Sequence, residues 1–133
     1  MYRLILVTLA LMLAGCAPEP RVSVSTYRTA GAPIYSIAAF DPTRLEGNWA
    51  EVASFASEGA RCRPGGVDIA GGASGLVARG HLCRGAEVSL GGALRPIGPG
   101  RMALDGDAEP WWVIWVDTDY RTLVIGTPSG RFG

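Results

Sequence analysis

From Ile34 onward the apolar residues fall into short β-type runs separated by glycine-rich breaks, and no segment keeps a helical period of useful length. The pattern predicts strands over 48–56, 66–70, 76–83, 86–94, 101–105, 111–118 and 121–126. Turns are predicted at 71–75, 84–85, 96–100, 106–110 and 119–120. Short strands at close spacing indicate an antiparallel barrel or sandwich. On strand 111–118, Trp111, Val113 and Trp115 point to one face and Trp112, Ile114 and Val116 to the other. Strand 121–126 is likewise apolar on both sides through Leu123, Val124 and Ile125. A strand lying between a lumen and water should alternate apolar and polar positions, so two-sided apolarity predicts a cover over this part of the sheet.

The pattern ahead of residue 34 is different. Arg3 precedes the apolar run Leu4 to Leu13, and Leu13-Ala14-Gly15-Cys16 follows. A basic residue, a short apolar stretch and small residues before a cut describe an export signal over 1–15, too short to span a bilayer. The last four residues resemble the bacterial lipobox. That resemblance implies cleavage after Gly15, thioether lipidation of Cys16 and acylation of the new amino terminus by a palmitate-type chain. With Ala17 next to the cysteine, it also implies an outer-membrane location facing the periplasm. Residues 16–33, with Pro18, Pro20, Ser23, Ser25 and Gly31, read as a lipidated tether. The folded domain is then expected over 34–133.

Charge narrows the range of partners. All twelve basic residues are arginine and twelve are acidic; removing Arg3 with the signal leaves eleven against twelve, a net charge near −1. With no basic block and no interleaving of basic and aromatic residues, nucleic acid is not an expected partner. Once Cys16 is lipidated, Cys62 and Cys83 remain as an even pair in an oxidising compartment. Their midpoint falls between Gly72 and Ala73, inside the predicted 71–75 turn. In one hairpin about that turn the two would face each other at about 4.5 Å between Cα atoms, close to the lower bound for a disulfide. A disulfide is the favoured expectation. The alternative is a metal held by Cys62, His81 and Cys83, three ligands at best; His81 is more simply a partly exposed polar residue.

Two motifs point to a family. The segment Phe40-Asp41-Pro42-Thr43-Arg44-Leu45-Glu46-Gly47-Asn48-Trp49 combines a helix start, a glycine break and a tryptophan-led strand. Asp41 can cap a short helical turn and Pro42 suits its N1 position. About seventy residues later comes Asp117-Thr118-Asp119-Tyr120-Arg121. Gly47 and Trp49 resemble the Gly-x-Trp motif of lipocalins, in which a helical turn closes the barrel floor and the tryptophan packs there. Thr118, Asp119 and Tyr120 resemble the Thr-Asp-Tyr motif that joins the sixth and seventh strands beside the same floor. The resemblance covers Tyr35 to Phe132 and implies an all-β fold, an antiparallel up-and-down β-barrel of eight strands, about seven of which are present here. In the family an eighth strand and a wall-covering helix follow. Here the sequence stops at Gly133 and Arg131 falls too early for the family's third, basic motif, so the domain is expected to be C-terminally incomplete, with two unpaired strand edges.

No catalytic constellation is expected. His81 is the sole histidine, the Gly-Ala-Ser-Gly of 72–75 is a hairpin turn and not a nucleophile elbow, and the glycine-rich 91–100 stretch lacks the ending of a phosphate loop. Asp117 and Asp119 flank a turn, where carboxylates commonly bond the backbone. A lumen cysteine acting as a catalyst would need a free thiolate at Cys62 or Cys83. Binding without a cofactor is the expectation, in a lumen suited to an apolar or amphiphilic molecule. Trp49 is expected at its floor, with Phe55 and Val88 as further lining candidates. The lipocalin resemblance implies a fatty acid or lysophospholipid as ligand, in envelope lipid transport or scavenging. Two other readings stay open, a periplasmic barrel-type protease inhibitor and a degenerate lipocalin without activity.

Overall fold

The computed structural model describes residues 28–29, 32–55 and 61–130. The expected signal, the lipidation at Cys16, most of the tether and Arg131 lie outside the described residues. The described residues form seven strands: β1 (Gly47–Ala50), β2 (Gly66–Gly72), β3 (Gly75–Cys83), β4 (Glu87–Gly98), β5 (Arg101–Leu104), β6 (Trp111–Val116) and β7 (Leu123–Gly126). All belong to one sheet in sequential order, and every neighbouring pair is antiparallel. The fold is therefore the expected all-β up-and-down architecture. Side chains of β1 and β7, the two ends of the sheet, line one common cavity, so the sheet curls into a half-barrel.

The inward face is built by alternation. Val67 and Ile69 of β2, Ala78 of β3, Leu90 and Leu94 of β4, Met102 and Leu104 of β5, and Trp111 and Val113 of β6 are buried. Where one of these strands contributes two of these residues they stand two or four apart, as a pleated strand with one buried face must. The β2–β3 pair is held unusually close at Gly80, whose φ is +149° and where a Cβ would stand 2.0 Å from the carbonyl oxygen of Gly66. A side chain there would push the two strands apart.

Four departures from the sequence expectation have physical causes. First, β1 ends at Ala50, well short of the predicted 56. The Glu51 carboxylate accepts from Gly65 N (2.7 Å), just ahead of β2, and from Cys83 N (2.8 Å), at the end of β3, so the side chain and not a longer backbone ladder holds these amides. Second, β4 runs on through Pro96 to Gly98, where a turn was expected. A register shift between Pro96 and Gly98 accommodates the missing amide, and the turn itself is Pro99-Gly100. Third, β6 stops at Val116 and β7 starts at Leu123, because Asp117 Oδ1 accepts from Arg121 N (2.8 Å) and Thr122 N (2.6 Å) and keeps these residues in the turn.

The fourth concerns β6 and its faces. Trp112 pairs with Gly126 and Val113 with Ile125, but Trp115 pairs with Val124 and Val116 with Leu123, so the register shifts at Ile114. One extra residue in a bulge reverses the alternation beyond it. Trp115 thus leaves the face of Trp111 and Val113 and points outward with Val124, while Val116 turns to the side of Leu123.

The disulfide is made: Cys62 and Cys83 are bonded, with Cα atoms 5.4 Å apart. They do not face each other across a ladder as expected. The turn is the pair Ala73-Ser74, and Gly66 pairs with His81, which places the hairpin axis one residue later. Cys62 instead lies in the irregular 61–65 segment, which swings over the end of β3. Both sulfurs are used in the bond, leaving no thiolate for a metal or for catalysis, and His81 is exposed.

Candidate ligand site

The two motif segments, distant in sequence, meet at one end of the sheet. Asp41 accepts from Thr43 N (3.0 Å) and Thr43 Oγ1 (2.7 Å), capping the 3-10 helix Pro42–Leu45 with Pro42 in its first turn. Trp49 Nε1 donates to the Leu45 carbonyl at 2.7 Å, which fixes the indole under this turn. From the other side comes the β6–β7 turn. Tyr120 sits at φ +55° and its hydroxyl accepts from Asp41 N at 2.8 Å. Its ring stacks on Phe40 with centroids 5.8 Å apart. The Arg44 guanidinium lies 3.9 Å over the same ring and donates to the Thr118 carbonyl at 3.1 Å. The Asp119 carboxylate pairs with Arg121 at the surface, 3.0 Å apart.

Asp41 and Asp117 hold these two turns through charge-assisted hydrogen bonds. Those from the Thr43 side chain and amide hold Asp41 below the usual carboxylate pKa. For Asp117 the Thr122 amide is the main cause, with Arg121 adding to it. A carboxyl whose pKa is lowered in the folded state contributes stability above its unfolded value, and loses it as the pH falls through the folded value. The thermal midpoint should therefore drop as the pH falls below 3.8, the ordinary value for both groups. The double variant Asp41→Asn/Asp117→Asn should show a flatter decline over that range in a calorimetric pH series. An unchanged slope would mean that these caps do not govern the acid limb.

Above this floor opens a cavity of about 460 Å³. Leu45 and Trp49 form its base; Val67, Ile69, Met102 and Val113 form its wall; Leu123 and Ile125 of β7 close on it from the far edge. Because successive strands alternate in direction, the 84–86 turn, the 105–110 loop and residues 127–130 lie at the end opposite the floor. That end is polar. Arg84 Nη1 contacts both oxygens of Asp107, at 2.9 and 3.1 Å, and the two side chains are only 10% and 11% exposed. Trp111 Nε1 donates to Asp107 Oδ2 at 2.7 Å, and the Arg84 guanidinium lies 5.8 Å from the Trp111 ring centre. Glu109 accepts from Ser129 N (3.2 Å) and Ser129 Oγ (2.7 Å), tying the same loop to the segment after β7.

The structure separates the three lining candidates. Trp49 lies at the base of the cavity, while Phe55 is 63% exposed and stands at its rim. Val88 does not line this cavity. It packs against the core on the inward side of β4, beside a smaller hollow of about 130 Å³ formed with Leu104 to Asp107. Leu90 and Leu94, with Met102 and Leu104, fill that half of the curl and leave the space toward β1 and β7. The Arg84–Asp107–Trp111 cluster and the Glu51 bridge are not in the sequence reading. One signal could have found the cluster: an up-and-down sheet puts the predicted 84–85 and 106–110 turns at the same end, each with a charge of opposite sign. Among the described residues, no group of three or more His, Cys, Asp or Glu side chains is placed to hold a metal ion. Comparison with protein-family models finds no match to this chain, and comparison with curated proteins finds none.

Proposed function

We propose that this chain is an exported, lipid-anchored carrier of the lipocalin type, binding one single-chain amphiphile such as a fatty acid or lysophospholipid in envelope lipid transport or scavenging. The observation that carries the proposal is a cavity whose lining is mainly apolar, from the Trp49 floor to the Val113 and Ile125 walls, with Arg84, held by Asp107, among its few polar residues. Its volume falls in the range typical of small-molecule sites, about 300–1,000 Å³. An acyl chain extending from the mouth to the floor would lie against this apolar lining along its length. Each buried methylene contributes about 0.8 kcal/mol, so a long chain supplies several kcal/mol before ordering costs, enough for micromolar affinity. Arg84 is paired with Asp107 and is the only basic residue in the lining among the described residues, so no cluster of positive charge is placed to select a carboxylate over a zwitterionic head group.

Acylation of Cys16 would tether the carrier to the outer membrane, on the periplasmic side. Tryptophan fluorescence titration of delipidated protein with fatty acids of increasing length tests the binding. Trp49 and Trp111 border the cavity and should report it, and affinity should rise with each added methylene until the chain reaches the floor. Affinity independent of chain length would reject an acyl-chain site. Absence of binding together with inhibition of a periplasmic protease would favour the inhibitor barrel.

A further inference from the structure

The outer face of the β6–β7 hairpin carries an apolar patch. At the Ile114 bulge, Ile114 and Trp115 emerge together, and with Val124 opposite they are 37%, 50% and 44% exposed. Ile34 extends the patch: a Cβ on Gly126 would lie 2.7 Å from Ile114 Cδ1 and 3.1 Å from Ile34 Cδ1. The segment carrying Ile34 runs beside β6, with Ile37 N donating to the Val113 carbonyl at 2.9 Å. Next to the patch, the Arg101 guanidinium lies 4.4 Å over Trp112, which shares the outward face through its pairing with Gly126.

The chain enters the fold on this side. Arg28 donates to the Pro128 carbonyl, just beyond the end of β7. Cys16 precedes Arg28 by twelve residues, which span at most about 40 Å. An acyl anchor at Cys16 would hold the domain within that distance of the bilayer, with the entry side among the nearest surfaces.

We infer that the patch of Ile34, Ile114, Trp115 and Val124 docks on the lipid surface of the membrane to which the chain is anchored. This rests on the proposed acylation of Cys16. Tryptophan favours the headgroup level, aliphatic neighbours enter the acyl boundary, and Arg101 is placed for lipid phosphates. A patch too small to hold a free protein on a bilayer suffices for a tethered one, because the tether makes docking intramolecular. Docking would also set β7, whose inward side chains Leu123 and Ile125 line the cavity, next to the source of its ligand.

The test uses full-length mature protein in vesicles of phosphatidylethanolamine and phosphatidylglycerol with brominated acyl chains, which quench tryptophan emission on contact. The anchored protein should be quenched, and Trp115→Phe should remove most of that quenching. Val124→Glu, at a half-exposed position, should stay anchored and folded by circular dichroism yet escape quenching; Val124→Gln is a milder second variant. An anchored protein without quenching, or either Val124 variant quenched like the parent, would overturn the docking and leave the anchor intact. The mass of the same preparation reads the acylation directly. A mature chain without acyl groups would overturn the anchoring and the docking with it.

Discussion

Asp107→Ala should destabilise the domain by about 3–5 kcal/mol, one of the two largest effects expected of any small change in this chain. Asp107 receives both Arg84, at 2.9 Å, and Trp111 Nε1, at 2.7 Å, in a site where the ion pair is about nine-tenths covered. Removing the carboxylate takes the Asp107 charge from a guanidinium in a largely desolvated place, and breaks the bond of a buried indole N–H. The first is the dominant cost; the second adds about 1–3 kcal/mol within the same total. The effect should depend on the charge left behind. Arg84→Met/Asp107→Leu removes both charges and should recover most of the loss, since a covered ion pair contributes little net stability over apolar packing. Urea unfolding of the three proteins measures this. A loss below about 1 kcal/mol for Asp107→Ala would show that the pair behaves as a surface salt bridge.

Replacing both cysteines, Cys62→Ala/Cys83→Ala, should cost about 2–5 kcal/mol. The bond closes a loop of 21 residues in sequence separation, and constraining the unfolded chain by such a loop is worth about 3 kcal/mol in the entropy model. Here it has a local role as well. The 61–65 segment is not part of the sheet, and the bond to Cys83 holds it where Gly65 N can donate to Glu51 at 2.7 Å. Loss of the bridge should therefore also loosen the end of β1 that borders the cavity. The thermal midpoint of the oxidised protein should exceed that of the double variant and of the reduced parent. Equal midpoints would mean that the segment is held without the bond.

The fold was legible in the sequence because its cues are local. Strand length, period-two alternation and glycine turns are properties of a few adjacent residues, and each of the seven predicted strands overlaps an observed one, although several ends differ. The Asp41 cap and Pro42 likewise announce the 3-10 turn. What escaped depends on side chains acting across the sheet. Glu51 ends β1 by bonding the amides of Gly65, outside the sheet, and Cys83, on β3, and Asp117 shortens β6 and β7 by capping the turn between them. The Ile114 bulge was invisible because every residue from Trp111 to Val116 is apolar, so no change of polarity marks the reversal of faces. The same uniformity hid which candidates face the cavity. Trp49 was recognisable from its motif, whereas excluding Val88 required knowing that Leu90 and Leu94 fill the space in front of β4. Arg84 and Asp107 are ordinary turn residues until topology brings their turns together.

The central claim is that the space between the Trp49 floor and the Arg84–Asp107 mouth holds one acyl chain. It is tested most directly by native mass spectrometry of delipidated protein mixed with palmitate or lysophosphatidylcholine, with Leu123→Trp as the comparison. Leu123 lines the cavity near its floor and is only half-buried, so the larger ring can occupy the empty volume without overpacking the core. The account predicts a one-to-one lipid adduct for the parent and its loss in Leu123→Trp, with the fold retained. An adduct of equal abundance in both proteins, or none in the parent, would contradict it.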